Sequence, residues 1–153
     1  MVKIRQYVTL KIKEKYTLLY IFFIIILIII SIIDIKKRTV PNILILVLLL
    51  PTLVYNIFCD NQILFALAIT LPFILLYYLT NSIGGGDVKL IFVSSLLLGF
   101  QQMVYAIILS FFLSAVFSII LIILKKATKK STIPFAPFLS TGIITMLLLE
   151  FFS

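Results

Sequence analysis

The chain has 153 residues, of which 63% are hydrophobic and 12% are charged, with a formal net charge of +8. Because an ordinary soluble domain is about 45–50% apolar, this composition excludes a water-soluble protein and leaves no room for a separate soluble domain. The absence of histidine and the single cysteine exclude imidazole catalysis, histidine metal sites and an intrachain disulfide. The basic residues flank apolar runs, where they contact lipid or fix topology, so the charge does not indicate nucleic-acid binding.

Continuous apolar runs near the roughly 20 residues that span a bilayer predict an all-α, polytopic membrane protein. A β-barrel is not expected, because its strands would alternate with period two. Residues 1–153 are expected to form one membrane-embedded domain, with residues 1–15 as a basic tail or an interfacial helix. Six transmembrane segments are predicted, at about 16–33, 41–58, 63–80, 88–100, 103–124 and 133–152.

The charges of the loops predict the orientation. The loops after segments one, three and five carry eight Lys or Arg residues, whereas those after segments two and four read CDNQ and QQ. By the positive-inside rule the first set is cytoplasmic. This assignment leaves the basic N-terminal tail outside, against the rule. The loops around Asp34 and Asp87 share one side in either orientation, because two helices separate them.

Two of the five acidic residues stand out by position. Asp34 ends a long apolar helix and Asp87 begins one, and a charge at membrane depth is a functional candidate. The alternatives are a helix-end carboxylate paired with a following basic residue for Asp34, and a helix N-cap for Asp87. The other three have a simple interpretation as solvated or interfacial charges: Glu14, Asp60 and Glu150.

Three glycines precede Asp87, in the run Gly84-Gly85-Gly86-Asp87-Val88-Lys89. Glycines permit a close approach of another backbone, so an extended peptide substrate is one explanation for them. A tight turn between helices is the other. A phosphate-binding loop is not indicated, because the P-loop spacing is absent.

These residues resemble the motifs of the type IV prepilin peptidases and archaeal preflagellin peptidases, which are membrane aspartyl peptidases. The glycines with Asp87 fit the GxGD signature of that family, and Lys89 fits the lysine that often follows it. Asp34, a basic stretch and then Pro41-Asn42 resemble the first motif. The run from Pro134 to Pro137 is similar to the proline-rich opening of the last helix, although many members have Gly in place of Ala.

The resemblance implies a catalytic pair, Asp34 and Asp87, with no metal and no other cofactor. One aspartate would activate a water, and the other would donate a proton to the scissile carbonyl and then to the leaving amine. The implied substrate is a prepilin-like precursor, cut between a short basic leader and a hydrophobic helix at the cytoplasmic membrane edge. Lys89 would bias the titration of the two aspartates, contact the substrate backbone, or extend its ammonium to the membrane interface. The substrate-binding or supporting positions implied are Gly84, Gly85, Gly86, Lys89, Pro41, Asn42, Pro134 and Pro137.

This chain also differs from some members of the family. Larger bacterial relatives carry an N-terminal part with paired Cys-x-x-Cys motifs, associated with N-methylation of the processed pilin. With Cys59 as its one cysteine, this chain is expected to be a stand-alone peptidase without methyltransferase activity.

Two other functions are open. An ion-coupled small membrane transporter would carry its site near the midplane, usually with inverted repeats, and neither feature is visible here. A non-catalytic pilus or secretion assembly subunit would be expected to have lost one aspartate, and both are present. The sequence gives no indication of the oligomeric state.

Overall fold

The computed structural model describes residues 2–58, 62–80, 83–125 and 134–152, with residues 2–16, 57 and 58 described by their backbone alone. Cys59 and Asp60 lie outside the described residues. No strand occurs in the described part, which confirms the all-α prediction there. Five α-helices follow one another: α1 Val2–Lys37, α2 Asn42–Phe58, α3 Ile63–Thr80, α4 Gly85–Ile123 and α5 Ala136–Phe152.

Three helical stretches are long and apolar enough to cross a bilayer: Thr17–Lys37 within α1, α3, and α4. Helices α2 and α5 are also apolar but have 17 residues each, slightly fewer than the roughly 20 that a span requires. Helix α1 runs without interruption through the lysine-rich segment 2–15 and the first apolar segment. The fourth and fifth predicted segments both fall within α4, which consists of two helical stretches joined at a non-helical residue, Gly99. The all-helical class is confirmed for the described residues, and six separate transmembrane helices are not.

Helix α4 is interrupted at Gly99, where φ is 76° and ψ is 180°. Glycine adopts such a positive φ without the steric cost that a side chain incurs, and a Cβ there would also overlap the side chain of Gln62. The sequence predicted a loop at Gln101-Gln102, but both residues are helical and the break lies before them.

Polar side chains satisfy backbone groups around this break. The buried amide of Asn56 donates to the Leu96 carbonyl at 2.6 Å and accepts from the Gln62 N–H at 3.0 Å. Gln102, in the amide orientation that satisfies both of its ends, donates to Leu98 O at 2.9 Å and to the Glu150 carboxylate at 3.0 Å. A helix in an apolar bundle can break where side chains supply such partners, so no polar loop is needed.

Helix α4 is the centre of the bundle: α2, α3 and α5 pack against it, and α1 packs against α5 and α2. At Gly142 of α5, a Cβ would overlap the Ala106 carbonyl and the Ser110 hydroxyl of α4. Glycine at this position lets the two backbones approach closely, as small residues do between membrane helices. Many large apolar side chains also face outward, including Leu18, Ile43 and Leu64 at 75–77% exposure, as expected of a lipid-facing surface.

The turns between helices bring several helix ends together at one end of the bundle, which we term the aspartate end. Asp34 near the end of α1 contacts the start of α5. The start of α4 contacts the start of α2 and lies beside the last turns of α3. The polar groups around Gly99 mark the opposite end.

Candidate active site

A cavity of about 490 Å³ opens at the aspartate end, and both Asp34 and Asp87 line it. The two residues are only 5% and 9% exposed. The two carboxylates are near enough to interact electrostatically. Two acidic residues from different helices therefore line one cavity. The rest of the lining mixes aromatic, polar and backbone groups: Arg38, Phe73, Ile83, Gly84, Phe111, Ser114, Pro134 and Phe135.

Asp34 is held at the junction of α1 and α5. Its backbone carbonyl accepts from the Arg38 N–H at 2.8 Å, and Arg38, with a φ of 54°, ends the helix in the left-handed conformation. The Asp34 carboxylate accepts from the backbone N–H of Ala136, the first residue of α5. Its Oδ2 is buried and has no hydrogen-bond partner in the described part of the chain. One carboxylate oxygen is thus anchored, and the other is buried without a partner in the described residues.

Asp87 is the third residue of α4 and not its N-cap. The N-cap is Gly84, whose extended backbone carbonyl accepts from the Asp87 N–H at 3.0 Å and the Val88 N–H at 3.3 Å, and no side-chain cap bond forms. The capping alternative for Asp87 is therefore wrong. Its carboxylate remains directed to the cavity, beside the positive end of the helix dipole.

The three glycines differ in what surrounds them. A Cβ on Gly86 would lie 2.7 Å from Cβ of Val40, so this glycine lets α4 start against the segment between α1 and α2. A Cβ on Gly84 would lie 3.2 Å from Oδ2 of Asp87, which makes the space beside that carboxylate depend on glycine. At Gly85 the nearest atom would be 3.5 Å away, an ordinary contact with Tyr77. Packing therefore accounts for Gly86, and a Cβ on Gly84 would crowd the Asp87 carboxylate.

Two of the predicted supporting residues bond to each other. The Lys89 ammonium donates to Oδ1 of Asn42 at 2.9 Å, and neither side chain lines the cavity. Pro41 lies one residue before α2 and accepts from the N–H groups of Leu44 and Ile45 at 3.1 and 3.4 Å. These residues join the starts of α2 and α4, which sets the position of Asp87 from outside the cavity.

Residues 21–119 of the chain, more than half of its length, match the model of the type IV leader peptidase family. The chain belongs to the type IV leader peptidase family. The matched range contains Asp34, the Pro41-Asn42 pair and the run from Gly84 to Lys89, and it ends before Pro134. A search of the curated proteins and a search of the solved structures each gave no match.

Only part of the proline-rich segment lines the cavity. Pro134 and Phe135 line it, whereas Pro137, the second residue of α5, is not part of the lining. The Phe135 carbonyl accepts from the N–H groups of Phe138 and Leu139, both at 3.0 Å, and so starts α5. The segment therefore sets where α5 begins, and with it the N–H that binds Asp34.

Several residues that line the cavity could not be singled out from the sequence. Phe73 and Phe111 stack with ring centroids 6.3 Å apart, and Phe111 lies 5.2 Å from Phe135. Each belongs to an apolar run or a turn, where one more phenylalanine is unremarkable. Ser114 adds a hydroxyl to the same wall. No three His, Cys, Asp or Glu residues lie together as a metal site within the described ranges.

Proposed function

We propose that the chain is an aspartyl endopeptidase of the cell membrane that removes the basic leader from prepilin-like precursors at the cytoplasmic face. The observation that carries the proposal is the common cavity of Asp34 and Asp87, two buried carboxylates from separate helices. Membership of the leader peptidase family supports the same reaction.

In this mechanism the two carboxylates share one proton, because two negative charges close together in one cavity repel each other. Asp34 is the base, since the Ala136 N–H stabilises negative charge on it. Asp87 carries the proton. Asp34 takes a proton from a water, whose oxygen bonds to the scissile carbonyl carbon while Asp87 protonates the carbonyl oxygen. When the C–N bond breaks, the proton held by Asp34 passes to the leaving amine, and the oxygen proton returns to Asp87.

The cavity suits a peptide bond presented at a membrane edge. Its volume of about 490 Å³ lies within the range of roughly 300–1,000 Å³ typical of ligand sites, enough for a short extended segment and not for a folded domain. Lys36, Lys37 and Arg38 begin two residues after Asp34, and the positive-inside rule supports the cytoplasmic side for this end. Gly86 acts through packing in this proposal, whereas Gly84 keeps the substrate's path to Asp87 open.

Nothing in the described residues favours a transporter or a non-catalytic assembly subunit. A transporter site is expected near the midplane. Asp34 instead lies three residues before the end of α1, and Asp87 is the third residue of α4.

The test is co-expression of the protein with a tagged prepilin, with leader removal scored by mass. The variants are Asp34→Asn and Asp87→Asn. Glu150→Gln is the matched control, because it makes the same carboxylate-to-amide change at the opposite end of the bundle. Loss of a general acid or base costs roughly 10²–10⁴-fold, so both aspartate variants should lose cleavage while Glu150→Gln retains it. If either aspartate variant cleaves the prepilin at the wild-type level, the proposed mechanism is contradicted. If the wild type does not cleave the prepilin, the proposed substrate is contradicted.

A further inference from the structure

A second cavity of about 770 Å³, the α2–α3 groove, lies between α2 and α3 with α4 as its floor. Its walls are mostly apolar and include Leu46 of α2, Leu67 of α3 and Phe92 of α4. Leu46 and Leu67 are 59% and 47% exposed, so the groove opens sideways, toward the lipid around the bundle.

The groove extends over about half of a bilayer. On α3 its lining runs from Leu67 to Tyr78, which at a rise of about 1.5 Å per residue is roughly 16 Å. The hydrocarbon core of a bilayer is roughly 30 Å thick, so this length matches one leaflet. On α2 and α4 the lining starts at the aspartate end, at Asn42 and Gly85. The groove thus covers the leaflet at that end, whereas a membrane-spanning helix would require about twice its length.

The polar groups of the groove are concentrated at the aspartate end. Lys89 donates to Asn42 at 2.9 Å, and an ammonium has two further protons to donate. Tyr77 and Tyr78, whose rings meet edge to face at 5.2 Å, line the same end. Tyrosine is the residue expected at headgroup level, and lysine attracts the phosphates of anionic lipids.

A cationic end, an apolar body and the length of one leaflet are the features of a site for a single lipid. We propose that the α2–α3 groove binds an anionic phospholipid of the leaflet at the aspartate end, with its phosphate at Lys89 and its acyl chains between α2 and α3. Gly85 lines this groove, while its neighbour Gly84 lines the cavity of the aspartates. The bound lipid therefore packs against the first turn of α4, the turn that carries Asp87.

The test is native mass spectrometry of the purified full chain, equilibrated with phosphatidylglycerol or with phosphatidylethanolamine. Leu46→Trp fills the groove. Leu50→Trp is its matched control, because Leu50 lies one turn further along α2, is 58% exposed against 59% for Leu46, and is not part of the lining. Lys89→Gln removes the cation, and Lys125→Gln removes an exposed cation outside the groove.

The expected result is one phosphatidylglycerol retained per chain in preference to phosphatidylethanolamine. Lys89→Gln should lower the preference roughly fivefold, the effect of one lysine near a charged headgroup, and Lys125→Gln should not. Leu46→Trp should lower retention and Leu50→Trp should not. Equal retention of both lipids by the wild type would overturn the headgroup assignment. If the two tryptophan substitutions lower lipid retention equally, or if a peptide is retained in place of lipid, the groove is not the lipid site. The readout is lipid occupancy, so a failed cleavage assay leaves this inference standing.

Discussion

The Lys89 ammonium bonds to Oδ1 of Asn42 at 2.9 Å and ties the start of α4 to the start of α2. The two residues are far apart in the chain, yet they belong to the two motifs that carry the aspartates. Because neither lines the cavity, their part in the proposed reaction is to position the helix that bears Asp87.

We expect Lys89→Met and Asn42→Ala each to lower the stability of the protein by up to about 1.5 kcal/mol, the net value of one hydrogen bond. The double variant should lose little more than either single variant, because both changes remove the same bond. Thermal unfolding in detergent measures all three. Fully additive losses would show that the bond does not act as a unit.

Gly86→Ala should destabilise the protein. The new Cβ would lie 2.7 Å from Cβ of Val40, and crowding of this kind costs roughly 1–3 kcal/mol. Gly85→Ala is the control, since its nearest atom is 3.5 Å away and alanine is the better helix former. The same unfolding assay measures both, and adding Val40→Ala to Gly86→Ala should restore part of the loss. No rescue would mean that the Gly86–Val40 contact is not the cause.

Gly84→Ala should reduce cleavage more than stability. The backbone at Gly84, with φ −67° and ψ 135°, accepts alanine, but the added Cβ would lie 3.2 Å from Oδ2 of Asp87. Displacement of a reacting group by about 1 Å can cost roughly 10²-fold, so a loss of about tenfold in kcat is expected from this milder crowding. Measuring both the cleavage rate and the unfolding temperature of the variant separates the two effects. An unchanged kcat would argue against an open space at Gly84.

Asn56→Leu should weaken the opposite end of the bundle. The substitution removes the donor to the Leu96 carbonyl and the acceptor of the Gln62 N–H. Leaving buried polar groups unpaired costs about 1–3 kcal/mol each. Thr141→Val, which removes the exposed hydroxyl bonded to the Pro137 carbonyl, is a control expected to cost much less. Comparable unfolding temperatures for the two variants would contradict the role given to Asn56.

The helical class and the proximity of the two aspartates could be predicted, because both follow from properties local to the sequence. Apolar runs indicate helices, and Asp34 and Asp87 occupy ends of such runs that an even number of crossings puts on one side. The spacing of the Pro41-Asn42 and glycine motifs further indicated the leader peptidase family, which the family match confirms.

A break between the two halves of α4 was predicted, but its position could not be predicted. Gln101-Gln102 has the composition of a loop, but the interruption at Gly99 depends on Asn56 and Gln62, which come from other parts of the chain. The partner of Lys89 and the aromatic wall of the cavity are likewise tertiary features. In a chain this rich in phenylalanine, no single ring is distinguished by its neighbours in sequence.

The most direct measurement of the central claim compares leader cleavage by purified Asp34→Asn, Asp87→Asn and the double variant against the wild type. If the two carboxylates act as one catalytic unit, either single variant should lose as much activity as the double variant, because removing one member already abolishes the shared mechanism. A single variant that retains substantial cleavage, with a further drop only in the double variant, would contradict a reaction carried by the Asp34–Asp87 pair.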